Sequence, residues 1–424
     1  MRSNVWSVSR TDLTRLFQSI DESKISFFFS HYFALLKEHH KLDLGKYVAL
    51  DSTSISTYAK LQDARYGHNK QDEDLPQLNV VLFTEQQSGL PIWYSAYNGS
   101  IPDTATTQSI LEMMLGFNAP EFTAVMDRGY YSRDRLDAFY RAGRGFLVSV
   151  PIENVGHFNE QIEQARQCFS EDDCYNEFCH EDVWSVTLQH EFTDAEGNQA
   201  RAPLYVHIFH DEKRQVEIKS HAREMCARIN AAKKEGRELT AQESSFARHN
   251  LVADKNGHYK LKSEYLKKLS NAGFLVLISN TVQDAVEAYQ IYRDRKVVEE
   301  CFKALKVKMN CKRFKVSCEE SLVGKCFIQF VALALYMRVQ RRLDNRRKSQ
   351  ALPQIEHNSA SEFLKELQGV NVYEFDGVYR NPMQVSKKQR EYAEMMGVTA
   401  FPDDLDISKI DPQSCQSMED DLPI

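Results

Sequence analysis

The chain begins with helical periodicity and then changes to short apolar runs. Over residues 1–44, apolar residues recur three and four positions apart, as in Leu13, Leu16 and Phe17, which predicts helices. The strands predicted after this segment are 47–50, 78–83, 90–97, 122–126 and 146–150. One helix, capped by Asp103, is predicted between the third and fourth strands, and another between the fourth and fifth. This order predicts an α/β fold, a mixed sheet with central strands buried on both faces.

The middle of the chain has a different pattern. Residues 151–271 combine alternating apolar and polar stretches with a highly charged helical stretch, so we expect a mostly β insertion with charged helices. An apolar strand at 274–279 returns the chain to the α/β unit. A long helix is predicted from residue 283 to about residue 306, and a second, apolar helix over 322–338.

Two predicted strands end in aspartate. Asp51 follows 47–50 and Asp127 follows 122–126, so we expect both at the carboxyl edge of the sheet, where open α/β sheets place ligand groups. A single aspartate after a strand is often only a turn or helix cap. Two on neighbouring strands can share a divalent cation, because Mg²⁺ prefers carboxylate oxygens.

Side chains of different chemistry share one face of the helix predicted after residue 283. Tyr292, Arg295, Glu299 and Lys306 fall within an arc of about 60° at ~100° per residue. An exposed face with i,i+4 ion pairs would explain Arg295 and Glu299, but not a tyrosine and a lysine on the same line. We therefore interpret this face as part of a functional site.

Charge is unevenly distributed over the 424 residues. The net charge of −7 argues against a nucleic-acid partner. The segment from Tyr292 to Lys348, however, has 16 Lys and Arg residues against six acids and carries +10. Such a segment is either a solvated surface or the binding surface for a polyanion. Charge alone leaves both interpretations open.

Composition excludes some classes of protein. No apolar run reaches the ~18 residues of a membrane span, and the first ten residues lack a signal-peptide core, so we expect neither a membrane protein nor a secreted one. The nine cysteines have no paired spacing and predict free thiols in a reducing cytosol. A structural zinc at Cys168, Cys174, Cys179 and His180 is the less favoured alternative, because their spacing is not that of zinc knuckles.

The order Asp51, Asp127, Glu299, with the spacing Tyr-x2-Arg-x3-Glu-x6-Lys, resembles the bacterial insertion-sequence DDE transposases that carry the YREK motif. The resemblance covers about residues 46–306. It includes GLPIWYSAYNGSIPDT, which is similar to the family's Gly-Asn-x-x-Asp stretch with Ser100 in place of Asn. The 172-residue separation of Asp127 and Glu299 is similar to that in family members with a β-rich insertion before the catalytic helix.

The resemblance implies a ribonuclease-H-like catalytic domain, with helices on both faces of the sheet, that acts as a DNA transposase. Such an enzyme cleaves transposon-end phosphodiesters and transfers the strand into target DNA. Asp51, Asp127 and Glu299 would be catalytic and would hold two Mg²⁺ or Mn²⁺ ions. This agrees with general chemistry, since two cations stabilise both the attacking and the leaving oxygen of a phosphodiester displacement.

The same resemblance implies that the partner is DNA, both the transposon ends and the target. We expect the protein to bind it as a homodimer, and we expect no membrane partner. Tyr292, Arg295 and Lys306 would bind DNA phosphates, and the basic segment would extend that surface. His68 and Lys70, on the loop after the first strand, are expected to contact DNA as well. The expected location is the bacterial cytoplasm, associated with the nucleoid.

Six segments follow from these patterns. We expect a helical N-terminal segment that corresponds to a truncated DNA-binding region, two catalytic parts separated by the insertion, a helical C-terminal region and an acidic disordered tail. The N-terminal segment is 1–44, and the two catalytic parts are 45–150 and 272–348. The insertion is 151–271, the C-terminal region 349–402 and the tail 403–424.

Two other functions stay open. A catalytically silent DNA-binding remnant of a transposase would share the basic segment and need no metal. A glycosidase could use Asp127 and Glu299 as acid and base. The basic residues beside Glu299 suit phosphate better than sugar, so the glycosidase is the weaker alternative.

Overall fold

A computed structural model describes most of the chain. The described residues are 9–38, 46–59, 61–62, 64–66, 75–101, 121–151, 157–170, 174–255, 257–348, 359–367, 373–375, 378–380, 386–395 and 404–405. The helix predicted from Asp103 lies outside them, as do His68 and Lys70.

A ten-stranded mixed sheet forms the centre of the fold. The described strands of the whole chain, numbered in order, are β1 Tyr47–Thr57, β2 Gln77–Glu85, β3 Pro91–Asn98, β4 Thr123–Met126, β5 Gly145–Ser149, β6 Tyr175–Asn176, β7 Glu181–Thr193, β8 Gln199–His210, β9 Leu251–Ala253, β10 Tyr259–Leu261, β11 Phe274–Ser279, β12 Arg313–Phe314, β13 Tyr373–Phe375, β14 Val378–Arg380 and β15 Asp404–Leu405. Strands β9 and β10 form a separate two-stranded sheet, and β13, β14 and β15 a separate three-stranded one. Across the sheet the order is β3-β2-β1-β4-β5-β11-β8-β7-β6, and β12 pairs with β1.

Helices surround this sheet. They are α1 Arg10–Ser19, α2 Glu22–Glu38, α3 Arg133–Arg141, α4 Asn159–Ser170, α5 Glu212–Lys234, α6 Ala241–Asn250, α7 Ser263–Ser270, α8 Ala285–Asp294, α9 Lys296–Lys303, α10 Glu319–Lys348, α11 Ala360–Leu367 and α12 Lys387–Met395. A 3₁₀ turn at Arg128–Tyr130 follows β4, and a π-helical turn at Ala304–Lys308 follows α9.

The first five strands have the ribonuclease-H-like arrangement. β1, β2 and β3 form an antiparallel meander, and β4 and β5 continue the sheet parallel to β1. The predicted α/β fold is thereby confirmed. The central strands are apolar throughout because their side chains point alternately to the two faces of the sheet, and both faces are covered. Val125 and Leu147 pack with Ala288 of α8, whereas Phe146 packs in the main core against Phe139 of α3.

The helices predicted in residues 1–44 are present as α1 and α2. Helix α2 belongs to the core, whereas α1 has no buried residue. Phe29 and Phe33 of α2 are fully buried against Trp93 of β3, with ring centroids 4.1 and 5.9 Å from it. Phe330 of α10 joins the same aromatic cluster, 5.4 Å from Phe29. Helices α2 and α10 therefore cover β3, the edge strand of the sheet.

In the described part of the chain, one helix is long and apolar enough to cross a membrane by length and composition alone. It is the part of α10 between Glu319 and Asn345, and half of its most apolar stretch is buried. Phe330 and Leu333 lie in the main hydrophobic cluster. The helix thus packs as a core helix, in agreement with the buried apolar helix predicted here.

The insertion extends the sheet and adds a helical layer. β11 pairs antiparallel with β5, and β8, β7 and β6 follow outward. Both expected components, strands and charged helices, are present. Among the described residues of the insertion, helices α4–α7 contain more residues than strands β6–β10 do.

Two expectations for the C-terminal part need correction. The region 349–402 contains strands as well as helices, because β13 pairs with β14. β14 also pairs with β15 at Asp404–Leu405, inside the segment expected to be disordered. Residues 406–424 lie outside the described part of the chain.

The prediction that all cysteines are free was wrong for one pair. Cys168 and Cys174 form a disulfide with Cα atoms 6.2 Å apart, within the usual range. Helix α4 ends at Ser170 and β6 begins at Tyr175, which brings the two sulfurs together. The described free cysteines are Cys179, Cys226, Cys301, Cys311, Cys318 and Cys326. With two of its four ligands joined, the alternative zinc site is not formed.

We expect Gly324→Ala to destabilise the protein by about 1–3 kcal/mol, the usual cost of overpacking. A methyl group on Gly324 of α10 would collide with the backbone carbonyl of Phe17 in α1. The helix-propensity gain of about 0.5–1 kcal/mol is too small to offset this. Urea denaturation measures the change. Leu335→Ala, at a side chain 63% exposed on the same helix, is the control. Equal stability of Gly324→Ala and wild type would contradict the close contact of α1 with α10.

Candidate active site

The pairing of β1 with β4 places the two aspartates side by side. Leu50 pairs with Met126 in parallel register, so Asp51 and Asp127 come next on neighbouring strands. After Asp127 the chain leaves the sheet through the turn Arg128–Tyr130. The two carboxylates therefore lie at the carboxyl edge of the parallel part of the sheet, as expected.

The prediction that the first strand ends at Asp51 was wrong. β1 continues through Thr57, and residues 52–56 keep antiparallel pairing with β2. Thr and Ile suit such a pleated, buried strand. Asp51 is thus held on both sides along the chain by sheet pairing, whereas Asp127 is held on one side only.

Backbone amides orient both carboxylates in the same way. Oδ1 of Asp51 accepts a hydrogen bond of 2.8 Å from the amide of Ser52, and Oδ1 of Asp127 accepts one of 2.8 Å from the amide of Arg128. In each case Oδ2 is the oxygen that faces the rest of the site, towards Arg295.

The helix predicted over 283–306 is divided. α8 ends at Asp294, α9 begins at Lys296, and Arg295 lies between them. The amides of Arg295 and Val298 donate to carbonyls three residues earlier, which is the tighter 3₁₀ pattern.

The division at Arg295 and the π-helical turn change one part of the predicted face. The arc of about 60° assumed a regular α-helix. Lys306 lies in the π-helical turn, where the number of residues per turn is larger, so its predicted angle does not apply. Tyr292, Arg295 and Glu299 do meet at the site. Lys306 is half-buried one turn further on.

Three carboxylates surround the guanidinium group of Arg295. Nη1 lies 3.7 Å from Oδ2 of Asp51, and Nη2 lies 3.8 Å from Oδ2 of Asp127 and 3.4 Å from Oε1 of Glu299. The Arg295 side chain is only 12% exposed, whereas that of Glu299 is 57% exposed. Residues from two strands and a helix, far apart in the chain, therefore meet around one cation. Their catalytic role stays a prediction.

Tyr292 holds Asp127 from the other side. Its hydroxyl donates a hydrogen bond of 3.0 Å to Oδ1 of Asp127 and lies 3.0 Å from Oγ of Ser149 at the end of β5. Burial, followed by the negative charge of Asp127, raises the pKa of Tyr292 to about 12. The phenol is consequently protonated and able to donate at neutral pH.

Chemically, the carboxylate set fits a hard divalent cation such as Mg²⁺ or Mn²⁺, which takes carboxylate oxygens. The oxygens that would bind it are the two Oδ2 atoms and the Glu299 carboxylate. No three Asp, Glu, His or Cys side chains in the described part of the chain lie close enough together to hold a metal ion. Metal binding would therefore require the carboxylates, and Arg295 among them, to rearrange.

Exposed lysines lie along the extension of β1 beyond the site. β12 pairs with the end of β1 through Ser56 and Arg313, and Lys312 and Lys315 on either side of β12 are exposed. We call residues 308–315 the basic loop. The guanidinium of Arg313 lies 5.0 Å from the ring centre of Tyr58, which is 67% exposed.

Sequence reasoning missed Ser149 and the position of Arg295. Ser149 ends the third parallel strand, and a polar residue closing the apolar run 146–149 was a usable signal. Nothing in the spacing of Arg295 indicated that its partners would be three carboxylates, because a helical face does not specify what packs against it.

A mixed sheet of ribonuclease-H-like topology with acidic residues at its carboxyl edge defines the class of protein. Residues 45–335 match the family model described as "Transposase DDE domain". The chain therefore belongs to the DDE transposase family.

Comparison with other proteins adds one structural likeness. No curated protein matches the chain significantly. Among solved structures, the chain is similar to one titled "Cryo-EM structure of piggyBac transposase synaptic complex with hairpin DNA (SNHP)". The identity is 9%, the TM-score is 0.38, and the match covers 96% of this chain and 65% of that one. This chain thus spans less than two thirds of that protein's length.

We expect Tyr292→Phe to lower the free energy of unfolding by about 1.5 kcal/mol at pH 8, because one hydrogen bond to a charged group is lost. The difference should disappear near pH 11. The raised pKa, about 12 in the folded state against ~10 unfolded, means that wild type loses this stabilisation as pH rises from ~10 to ~12. Tyr292→Phe has no such loss. Denaturation at both pH values tests this, and an unchanged difference would contradict it.

Proposed function

We propose that the protein is a DNA transposase that cleaves the ends of its transposon and joins them to target DNA. Asp51, Asp127 and Glu299 are the proposed catalytic residues. The observation that carries the proposal is their convergence on a single cation, Arg295, at the carboxyl edge of a ribonuclease-H-like sheet. Membership of the DDE transposase family supports the same activity.

The three carboxylates would hold two Mg²⁺ or Mn²⁺ ions, which when bound stabilise the attacking and leaving oxygens of a displacement at phosphorus. Each protein group contributes differently. Asp51 is fixed by sheet pairing on both sides and by the amide of Ser52. Asp127 is fixed by the amide of Arg128 and by Tyr292. Glu299 is the most exposed of the three and can adjust its position as ligands enter.

Tyr292, Arg295 and Lys306 are the proposed phosphate-binding residues, with the basic loop as an extension of their surface. In the free protein the hydroxyl of Tyr292 is engaged by Asp127, so we propose that it also positions this carboxylate. His68 and Lys70 stay predictions. Basic side chains along β12 would hold the DNA backbone beside the carboxylates, without dependence on its sequence.

The finer classification is likewise a proposal. The spacing of Tyr292, Arg295, Glu299 and Lys306 supports an insertion-sequence transposase with the YREK motif, acting in the bacterial cytoplasm at the nucleoid. Joining two transposon ends requires two catalytic sites, so we propose a homodimer on DNA.

A catalytically silent DNA-binding remnant is the second candidate. The position of Arg295 favours it, because a guanidinium held permanently among the carboxylates would make the cluster purely structural. The two functions differ in whether the carboxylates act in metal-dependent cleavage.

Substitution of a catalytic carboxylate should abolish metal-dependent nicking. We expect Asp51→Asn and Glu299→Gln to reduce Mn²⁺-dependent nicking of supercoiled plasmid by roughly 10²–10³-fold, since metal ions supply several kcal/mol of transition-state stabilisation. Glu300→Gln is the matched control, because Glu300 is exposed in a different cleft beside Arg341.

The result separates the two candidates. Nicking that is lost in both variants and kept in Glu300→Gln supports the transposase. Wild type that binds DNA without nicking it would support the remnant. Equal nicking by wild type and both variants would sink the proposed catalytic assignment.

The basic loop should contribute to DNA affinity through its charge. We expect Lys312→Ala combined with Lys315→Ala to lower the slope of log K against log salt by about 1–2 units, at ~0.9 per phosphate contact. Fluorescence anisotropy with a labelled duplex at several salt concentrations measures the slope. Lys387→Ala, at a side chain 93% exposed in α12, is the control. An unchanged slope in the double variant would remove the basic loop from the DNA surface.

A further inference from the structure

The guanidinium of Arg295 is buried but poorly satisfied. Its Nε and Nη1 atoms are buried and have no hydrogen-bond partner in the described part of the chain. The oxygens of Asp51 and Asp127 lie 3.7 and 3.8 Å away, beyond hydrogen-bond distance, and only Glu299 at 3.4 Å is within it. Arg295 therefore compensates the charge of the three carboxylates in part, without a strong hydrogen bond to any of them.

The surroundings of Arg295 offer its guanidinium a second contact besides the carboxylates. Arg295 occupies the junction between α8 and α9, where the helix is divided. Its guanidinium lies 5.6 Å from the ring centre of Tyr292, which provides a contact surface independent of the carboxylates. Guanidinium binds both the planar carboxylate group and the tetrahedral phosphate group well. An arginine with unused donors can therefore exchange a carboxylate partner for a phosphate.

We propose that Arg295 is an internal counter-ion that occupies the cation position of the metal-free site and is transferred to a DNA phosphate when metal binds. This inference rests on the proposed function. A metal ion and the guanidinium compete for the same oxygens, the Oδ2 atoms of Asp51 and Asp127 and the carboxylate of Glu299. Metal binding releases Arg295, and the released donors then face the incoming phosphate.

The exchange has a thermodynamic consequence. Coupling between two ligands is reciprocal, so metal should strengthen DNA binding by the same factor as DNA strengthens metal binding. Arg295 contributes to this coupling only if it changes partners. A guanidinium that stays with the carboxylates contributes nothing to it.

The first test is metal affinity in the absence of DNA. Isothermal titration of Mn²⁺ into the full chain should give about tenfold tighter binding for Arg295→Ala than for wild type, because the competing cation is absent. Arg293→Ala is the matched control. Arg293→Ala also removes one positive charge, but from an exposed side chain of α8 whose guanidinium lies 5.5 Å from the ring centre of Tyr289. It should change the Mn²⁺ affinity by less than about twofold, because solvent screens an exposed charge. Arg295→Gln gives the same comparison where Arg295→Ala does not fold.

The second test is the effect of Mn²⁺ on DNA affinity. Anisotropy with a labelled duplex should show a Mn²⁺-dependent gain in wild type that is reduced about three- to tenfold in Arg295→Ala. The salt slope measured with Mn²⁺ should fall by about one unit in the same variant, one phosphate contact. Arg293→Ala should keep the wild-type gain.

The outcomes separate the inference from the proposed function. Equal Mn²⁺ affinity in wild type and Arg295→Ala, or an equal Mn²⁺-dependent gain in DNA affinity, overturns the inference and leaves the transposase proposal intact. Failure of both proteins to bind Mn²⁺ overturns the metal-dependent function, and the counter-ion with it.

Discussion

The parallel pairing of β1 with β4 determines where charge accumulates in this protein. Leu50 and Met126 are buried partners, and their pairing fixes the relative position of the residues that follow them. That register places Asp51 and Asp127 side by side. Two like charges about 4–8 Å apart repel by roughly 2–4 kcal/mol at an effective dielectric constant of ~20. The burial of apolar strands offsets this repulsion, and Arg295 reduces it further.

The third carboxylate depends on a different constraint, the packing of α9. Val298, Phe302 and Leu305 are buried in the main core cluster, and they fix the rotation of the helix about its axis. Glu299 follows Val298 directly and is exposed towards the site for that reason. The division at Arg295 lets α8 present Tyr292 to β5 while α9 packs on β1 and β2.

Much of this arrangement was predictable, because it depends on local pattern. The apolar runs located β1 to β5 and β11, and their order indicated the topology. Asp51, Asp127 and Glu299 were identified from their positions after strands and on a helical face. The proximity of the two aspartates followed from the sheet edge, a general property of such folds. Glu299 was joined to them through the resemblance to DDE transposases. The strand beyond Asp51 was missed because a run of Ser and Thr is polar, although the register with β2 buries it.

Other features depend on contacts between distant segments and could not be predicted. The phase of Lys306 changes because the turn at Ala304–Lys308 is π-helical, which no periodicity in the sequence indicates. The disulfide of Cys168 and Cys174 depends on the path between α4 and β6. The partners of Arg295 depend on three separate elements. In each case, spacing determines which residues share a face but not which groups meet there.

The distribution of charge around the site determines how a negatively charged centre could bind a polyanion. Three carboxylates and one guanidinium leave the centre with two formal negative charges, which repel a phosphate. The basic loop beside the end of β1 has the opposite sign. At physiological ionic strength each charge acts over only about 8 Å, so the two regions do not cancel. DNA would be held at the flank first, and entry of a phosphate into the centre requires additional positive charge there. Bound cations and a released Arg295 both supply it, which makes binding at the centre conditional on metal, while binding at the flank depends on salt alone.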